Sequence, residues 1–358
     1  LDDIFPFLKY LDIPPEWAEA AARFLEIGGT AMVLGGPDSG KSTLSRYLVY
    51  RAFVAGRPVA LMDLDLGQSH VGPPGALGLA CFPPHLPGDD PLFPESLYFV
   101  GQTSPVGAVL EVAVGARVLA DQAREFGVNH LVVNTSGLVA GGVAVRLKRA
   151  QVELLRPALI LSLEREAELS PLLLALGEAA LRVRLPKSPK ARRRFPEERR
   201  LYREGRFRRF FQQAQEIRLP LSAVHGRGLG WGEGRQLTAA ERRELAGRLG
   251  TPVLAGESAG RRLVLLTAGE PTKAGLEDFP VLQVTPWMAC HHRLVGLLDR
   301  GHRTLALGLI RASPWQERAF RVLTPLGRDQ AAAVRFLYFG RVRLSPEGQE
   351  LLPMTTCG

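Results

Sequence analysis

Between Thr30 and Thr43 the chain reads TAMVLGGPDSGKST. Ala31 to Leu34 form a short apolar run suited to a buried strand, and an amphipathic stretch follows Thr43. Gly35, Gly36, Pro37, Asp38, Ser39, Gly40, Lys41, Ser42 and Thr43 thus fill a G-x-x-x-x-G-K-S frame between a strand and a helix. Glycines let the main chain curl so that its N–H groups point inward, and the helix N-terminus adds partial positive charge. Lys41 can then reach the outer phosphates of a nucleotide, and the Ser42 hydroxyl a magnesium ion. These residues imply a nucleotide-binding chain.

The elements after this loop fit that placement. Leu44, Leu48 and Ala52 recur at helical spacing over 41–55, and Gly56 ends the helix. A strand over 58–62 runs into Asp63-Leu64-Asp65-Leu66-Gly67-Gln68. Ligands of open parallel sheets collect at the carboxyl ends of the strands, so two acids there are placed for chemistry. If the strand continues through them, Asp63 and Asp65 project to one side. One can hold magnesium through water while the other takes a proton from an incoming hydroxyl. Helices over 106–126, 144–155 and 168–176 alternate with strands over 96–100, 130–133 and 158–163. That alternation predicts an α/β fold, a mostly parallel sheet covered by helices on both faces. Residues 71–94, rich in proline and glycine, read as a long surface excursion. The lead, 1–29, is expected to hold one helix opened by Pro14 and Pro15, with Ala18, Ala22, Phe24 and Leu25 toward the sheet.

Charge is concentrated. The formal net charge is +9, and between Lys187 and Phe211 eleven basic residues stand against three glutamates. Pro196, Glu197 and Glu198 mark a helix start, and Arg199, Arg203 and Arg206 share one side of that helix. Tyr202, Phe207, Phe210 and Phe211 are interleaved with them. Two uses fit: a basic lid over 187–213 bringing cations to a transferring phosphoryl group, or a helix with buried aromatics and solvated arginines. Such a cluster in a nucleotide-binding chain favours a polyanionic partner.

Five glycines between Gly226 and Gly234 predict a linker over 226–250. Short alternating runs beyond it predict a small antiparallel, β-rich C-terminal domain over 251–358, which leaves 30–225 as the nucleotide domain. No apolar run has the length of a membrane span, and LDDIFPFLKY lacks a basic lead and a cleavage site. Cys81, Cys290 and Cys357 are odd in number and far apart, against a disulfide framework. A cytoplasmic protein without a membrane partner is expected. Cys290-His291-His292 has no second cluster at metal-site spacing.

Taken in order, several stretches resemble the polynucleotide 5′-hydroxyl kinases, the P-loop family that includes RNA kinases of eukaryotic tRNA, mRNA and ribosomal RNA processing. They are GGPDSGKST, DLDLGQSHVGPPG, GQTSP, NTSG, the arginine-rich stretch ending in RFRRFF, and HRLVGLLDRG with LALGLI. The resemblance covers roughly residues 30 to 310. It implies transfer of the γ-phosphate of ATP, or another NTP, to the 5′-hydroxyl of RNA or DNA, with Mg²⁺. It also implies roles: Lys41, Ser42 and Thr43 for phosphate and magnesium, Asp65 as general base, Asp63 as its acidic neighbour. Gln68 would help hold metal and substrate, Thr103 and Ser104 would clasp Lys41, and Lys187 and Arg192 would be lid cations. Two positions depart from the family pattern. Leu138 stands where many members place a base-stacking tryptophan, and Lys187 where they place an arginine.

Three functions compete. The first is a magnesium-dependent kinase acting on RNA and/or single-stranded DNA with a free 5′-hydroxyl. The second is an ATP-binding scaffold for nucleic-acid processing with little turnover. The third is a P-loop GTPase, which would need a guanine-reading N-K-x-D that the sequence lacks. The intact Lys41, Ser42 and acidic pair favour the first.

Overall fold

The computed structural model describes residues 13–82, 94–178, 180–188, 191–272 and 279–351. Expectations for the first twelve residues, for 83–93, for Lys190 within the basic lid and for Cys357 lie outside the described residues. The chain divides into two compact units, 1–206 and 207–358. None of the described helices is long and apolar enough to cross a membrane.

In the first unit α1 (Pro15–Ile27) precedes β1 (Gly29–Gly35), α2 (Lys41–Val54), β2 (Val59–Asp63), β3 (Ala76–Phe82) and β4 (Ser96–Phe99). Then come α3 (Val109–Glu125), β5 (His130–Asn134), α4 (Gly142–Leu155), β6 (Leu159–Glu164), α5 (Ser170–Ala175), β7 (Leu181–Pro186) and α6 (Pro196–Phe211). The strand order is β7-β6-β1-β5-β2-β3-β4. The first five run parallel, while β3 is antiparallel to β2 and β4 to β3.

Alternation along β1 divides its side chains between two cores. Ala31 and Val33 pack with Trp17 and Phe24 of α1 and with Leu44 and Leu48 of α2. Met32 and Leu34 pack with Val152 of α4 and with Leu172 and Leu173 of α5. A third cluster joins Met62 and Leu77 to Val112 and Leu119 of α3 and Leu147 of α4. Each buried Val, Leu, Met or Phe among them contributes about 1.5–3 kcal/mol, which fixes the strand that carries the phosphate loop.

Two local expectations are corrected. The buried face of α1 is Trp17, Ala20, Ala21 and Phe24, not Ala18 and Ala22. The indole sets the rotation: buried, it needs an acceptor, and Nε1 donates to the Pro186 carbonyl at 2.9 Å. Residues 71–94 are no plain excursion, because 76–82 form the buried strand β3. Its Gly78 lies where a Cβ would come within 2.4 Å of the Val71 carbonyl oxygen, so the preceding loop folds directly onto the strand.

The second unit holds β8 (Gln215–Pro220), β9 (His225–Arg227), β10 (Arg235–Gln236), α7 (Ala239–Leu249), β11 (Val253–Ala259) and β12 (Arg262–Thr267). It continues with β13 (Val281–Pro286), β14 (Arg293–Leu298), β15 (Thr304–Arg311), β16 (Ala319–Thr324), α8 (Arg328–Ala331) and β17 (Phe336–Arg343). One sheet runs β8-β16-β15-β14-β17-β9, the other β10-β11-β12-β13. It is strand-rich as expected, but β12–β13 and β17–β9 pair in parallel. The division also falls inside α6 rather than in the glycine-rich stretch. Residues 226–250 are not a linker: they contribute to β9, form β10 and form α7, which starts on a capping box between Thr238 and Glu241.

Candidate active site

The carboxyl ends of β1, β5 and β2 lie side by side, and each delivers polar residues to the same rim. From β1 comes the phosphate loop. Gly35 is required because a Cβ would meet Ser39 Oγ at 2.4 Å, and Gly40 turns the chain into α2 with φ +97°. Lys41, the first residue of α2, is buried and donates Nζ to the Gly36 carbonyl at 2.7 Å. Burial pushes its ammonium down to about 8, against the opposing charges of Asp65, Asp38 and Asp63.

From β2 comes the acidic pair. The strand ends at Asp63, so Asp63 and Asp65 are not strand neighbours sharing a face. Asp63 is buried and accepts from the amides of Asp65 at 3.1 Å and His70 at 2.6 Å, which folds the following loop around it. Burial, then the charge of Asp65, raises its carboxyl to about 6. Asp65 lines the cavity, with Oδ1 accepting from the amides of Gly67 and Gln68.

From β5 comes Asn134, which sequence reasoning missed. Its Nδ2 donates to Asp63 Oδ1 at 3.0 Å and to Ser42 Oγ at 3.3 Å, joining the phosphate loop to the acidic strand. Asn134 Oδ1 is buried without a protein partner. The all-oxygen set around it, Ser42, Asp63 and Asn134, has the hard-donor character that suits magnesium rather than a softer metal. Gly137, in the turn after β5, lets that turn rest on the phosphate loop, since a Cβ would lie 2.9 Å from Pro37 Cα. Beneath the turn, fully buried Lys148 of α4 donates to the Ser136 carbonyl at 3.1 Å and hydroxyl at 3.3 Å. Burial, reinforced by the charge of Lys41, pushes Lys148 down to about 7.

These groups surround a cavity of about 660 Å³ lined by residues 37–43, Asp65, Gln68, Thr103, Ser104, Ser136 and Leu138. Arg46, Ala191, Arg192, Arg194, Arg199 and Arg203 complete the wall. Arg192 lies on it, ion-paired with Glu198 at 2.8 Å. Lys187 is ion-paired with Glu168 instead and is not part of the lining. Thr103 and Ser104 are in the wall, while the hydrogen bond of Lys41 goes to Gly36. Gln68 is bound to the start of α6: Oε1 accepts from Arg194 Nη1 and Nε2 donates to the Arg199 carbonyl. Phe207, Phe210 and Phe211 are buried, so these aromatics serve as core rather than as stacking platforms. His70, pushed down to about 3 by burial and then by Arg46, Arg206 and Arg194, faces the cavity as a neutral ring.

Comparison with known proteins gives consistent relatives. The family described as "mRNA cleavage and polyadenylation factor CLP1 P-loop" matches residues 35–213. A protein of Pyrococcus abyssi named a polyribonucleotide 5′-hydroxyl-kinase is 30% identical over 95% of each chain. One of the same designation from Thermococcus kodakarensis is 33% identical over 90% of each. Among solved structures, a Clp1p–Pcf11p complex superposes with a TM-score of 0.62 at 13% identity, covering 91% of this chain and 78% of that one. That likeness is one of fold.

Proposed function

The chain belongs to the CLP1 P-loop family, and from that premise we propose that it is a polynucleotide 5′-hydroxyl kinase. It takes the γ-phosphate of ATP, or another NTP, to the 5′-hydroxyl of RNA and/or single-stranded DNA. The observation that carries this reading is the convergence of Lys41, Asp65 and several arginines on one cavity. A cation for phosphates, a carboxylate for a hydroxyl proton and further cations for developing charge are what in-line phosphoryl transfer requires. The free, buried thiols of Cys81 and Cys290 fit a reducing, cytoplasmic setting.

In this mechanism the main-chain N–H groups of residues 38–41 and the Lys41 ammonium hold the β- and γ-phosphates. Arrival of that negative charge favours the protonated lysine that burial had disfavoured. Asp65 is oriented by the Gly67 and Gln68 amides on Oδ1, and Oδ2 accepts the proton of the attacking hydroxyl. Asp63, locked in the core, shapes the loop that presents Asp65. Ser42, with Asp63 and Asn134 behind it, would hold Mg²⁺, which neutralises phosphate charge when bound. Arg192 and Arg199 stabilise the phosphoryl group as it moves, and Lys187 reaches this group only after leaving Glu168.

The test is a labelled γ-phosphate assay on matched RNA and DNA oligonucleotides with free 5′-hydroxyl ends. Label should appear on the 5′ end, and ADP should form only when an acceptor is present. Lys41→Ala and Asp65→Asn should each reduce transfer to background; turnover near that of the unaltered protein in either would refute the assigned role.

A further inference from the structure

Asp38 occupies a position of the phosphate loop whose usual contribution is a main-chain N–H. A carboxylate there stands beside the place of a triphosphate and would repel it unless its charge were countered. It is countered. Asp38 Oδ2 accepts from Arg199 Nη2 at 2.6 Å and from the Arg194 amide at 3.0 Å. The Asp38 side chain is 15% exposed and that of Arg199 31%, so the pair forms part of the cavity wall.

The same stretch is held at a second place. Arg194 Nη1 reaches Gln68 Oε1, and Tyr202 Oη donates to the Ser69 carbonyl at 2.9 Å. Arg206 Nη2 donates to the carbonyls of His70 at 3.2 Å and Gly72 at 2.7 Å. The first turns of α6 therefore span two loops: the one that carries Asp65, gripped mostly through main-chain carbonyls, and the phosphate loop, gripped through one carboxylate. Asp38 also has φ +55°, a left-handed conformation that Asp and Asn tolerate better than most residues.

We propose that Asp38 is a positioning residue: its carboxylate sets Arg194 and Arg199 over the cavity so that their charges meet the transferring phosphoryl group. The inference rests on the kinase reading above and concerns the same site. Burial lifts the Asp38 carboxyl, but the bonds from the Arg194 amide and Arg199 and the charges of both guanidinium groups outweigh it and hold the acid below its ordinary range. It is thus ionised at neutral pH. Loop amides and Lys41 bind ground-state phosphates without this pair, so its loss should appear in the chemical step rather than in nucleotide affinity.

The informative variant is Asp38→Asn, which keeps the size, tolerates the same φ and can still accept from the Arg194 amide, but cannot neutralise Arg199. Steady-state kinetics should show kcat lowered by about 10–100-fold, with ATP affinity changed by less than about three-fold. Arg199→Gln should behave alike, and the double variant should be no worse than the poorer single one, because the two act as one unit. Unchanged or faster turnover in Asp38→Asn overturns the proposal. So does a loss confined to ATP affinity, or losses that multiply in the double variant. The unaltered protein separates the two levels. If it moves no label to a 5′-hydroxyl end the kinase reading has failed; if it does so while Asp38→Asn turns over equally well, only the role of Asp38 has. Matching unfolding transitions among the variants ensure that rates compare folded proteins.

Discussion

Lys148 illustrates how much a single residue behind the cavity can matter. It lies on the buried stripe of α4 with Ala144, Leu147, Gln151, Val152 and Leu155, and among the described residues its ammonium is bound to Ser136 alone. Its ordinary value is 10.5, and in the fold it is lowered to about 7. Below about pH 7 both folded and unfolded chains carry this charge, and folding bears the full cost of burying it. Between there and the unfolded value the unfolded chain binds more protons, so stability rises with pH. Lys148→Met removes that dependence. Relative to the unaltered protein, its unfolding temperature should therefore be more favourable at pH 6 than at pH 9; an equal difference at both would mean that Lys148 does not titrate as described. Loss of the anchor beneath Ser136 should also lower kcat/KM by roughly ten-fold, the worth of about one hydrogen bond to a charged group.

Among the elements, α7 makes the point that composition misleads where local chemistry does not. Thr238 Oγ1 accepts from the Glu241 amide, and the Glu241 carboxylate accepts from the Thr238 amide at 2.7 Å, so two otherwise unsatisfied donors are met. Thr238→Ala should destabilise the protein by about 1 kcal/mol, seen as a lower denaturation midpoint without a change of slope. The T-x-x-E signature was present in the chain but hidden by the surrounding glycines. By contrast, the phosphate loop and the βα alternation were fully legible, because they are written in neighbouring residues at periods of 2 and 3.6. The strand β3 was not: it earns its place by pairing with β2 and β4, and its alternating small residues resemble loop. The Asp38–Arg199 pair joins residues 161 apart, beyond any local signal, and Asn134 shows its role only when β5 is set beside β2. Lys148 and Gln151 could have been noticed, since a charge and an amide on an apolar stripe call for partners.

At the scale of the whole molecule, the distribution of charge matters more than its total. One segment, 187–211, carries almost as much excess positive charge as the entire chain. Binding of a single-stranded polynucleotide should therefore weaken steeply with salt, with a log–log slope of about −0.7 for each phosphate engaged. ATP binding, resting on loop amides and a buried lysine, should be far less sensitive. Titrations of both ligands at several salt concentrations check this; equal slopes would place the polynucleotide away from the basic segment. The sheet also has a quiet side. The phosphate loop, the acidic pair and Asn134 hang from the strand ends at β1, β2 and β5, while the turns leading into β2 and β5 lie at the opposite rim. There Gly56 and Gly127 make the turns with φ of +66° and +73°, and their neighbours Arg57 and Asn129 are exposed. Those two turns are accordingly the natural attachment points for a fluorophore or a surface tether, leaving the working edge free to be watched while it turns over.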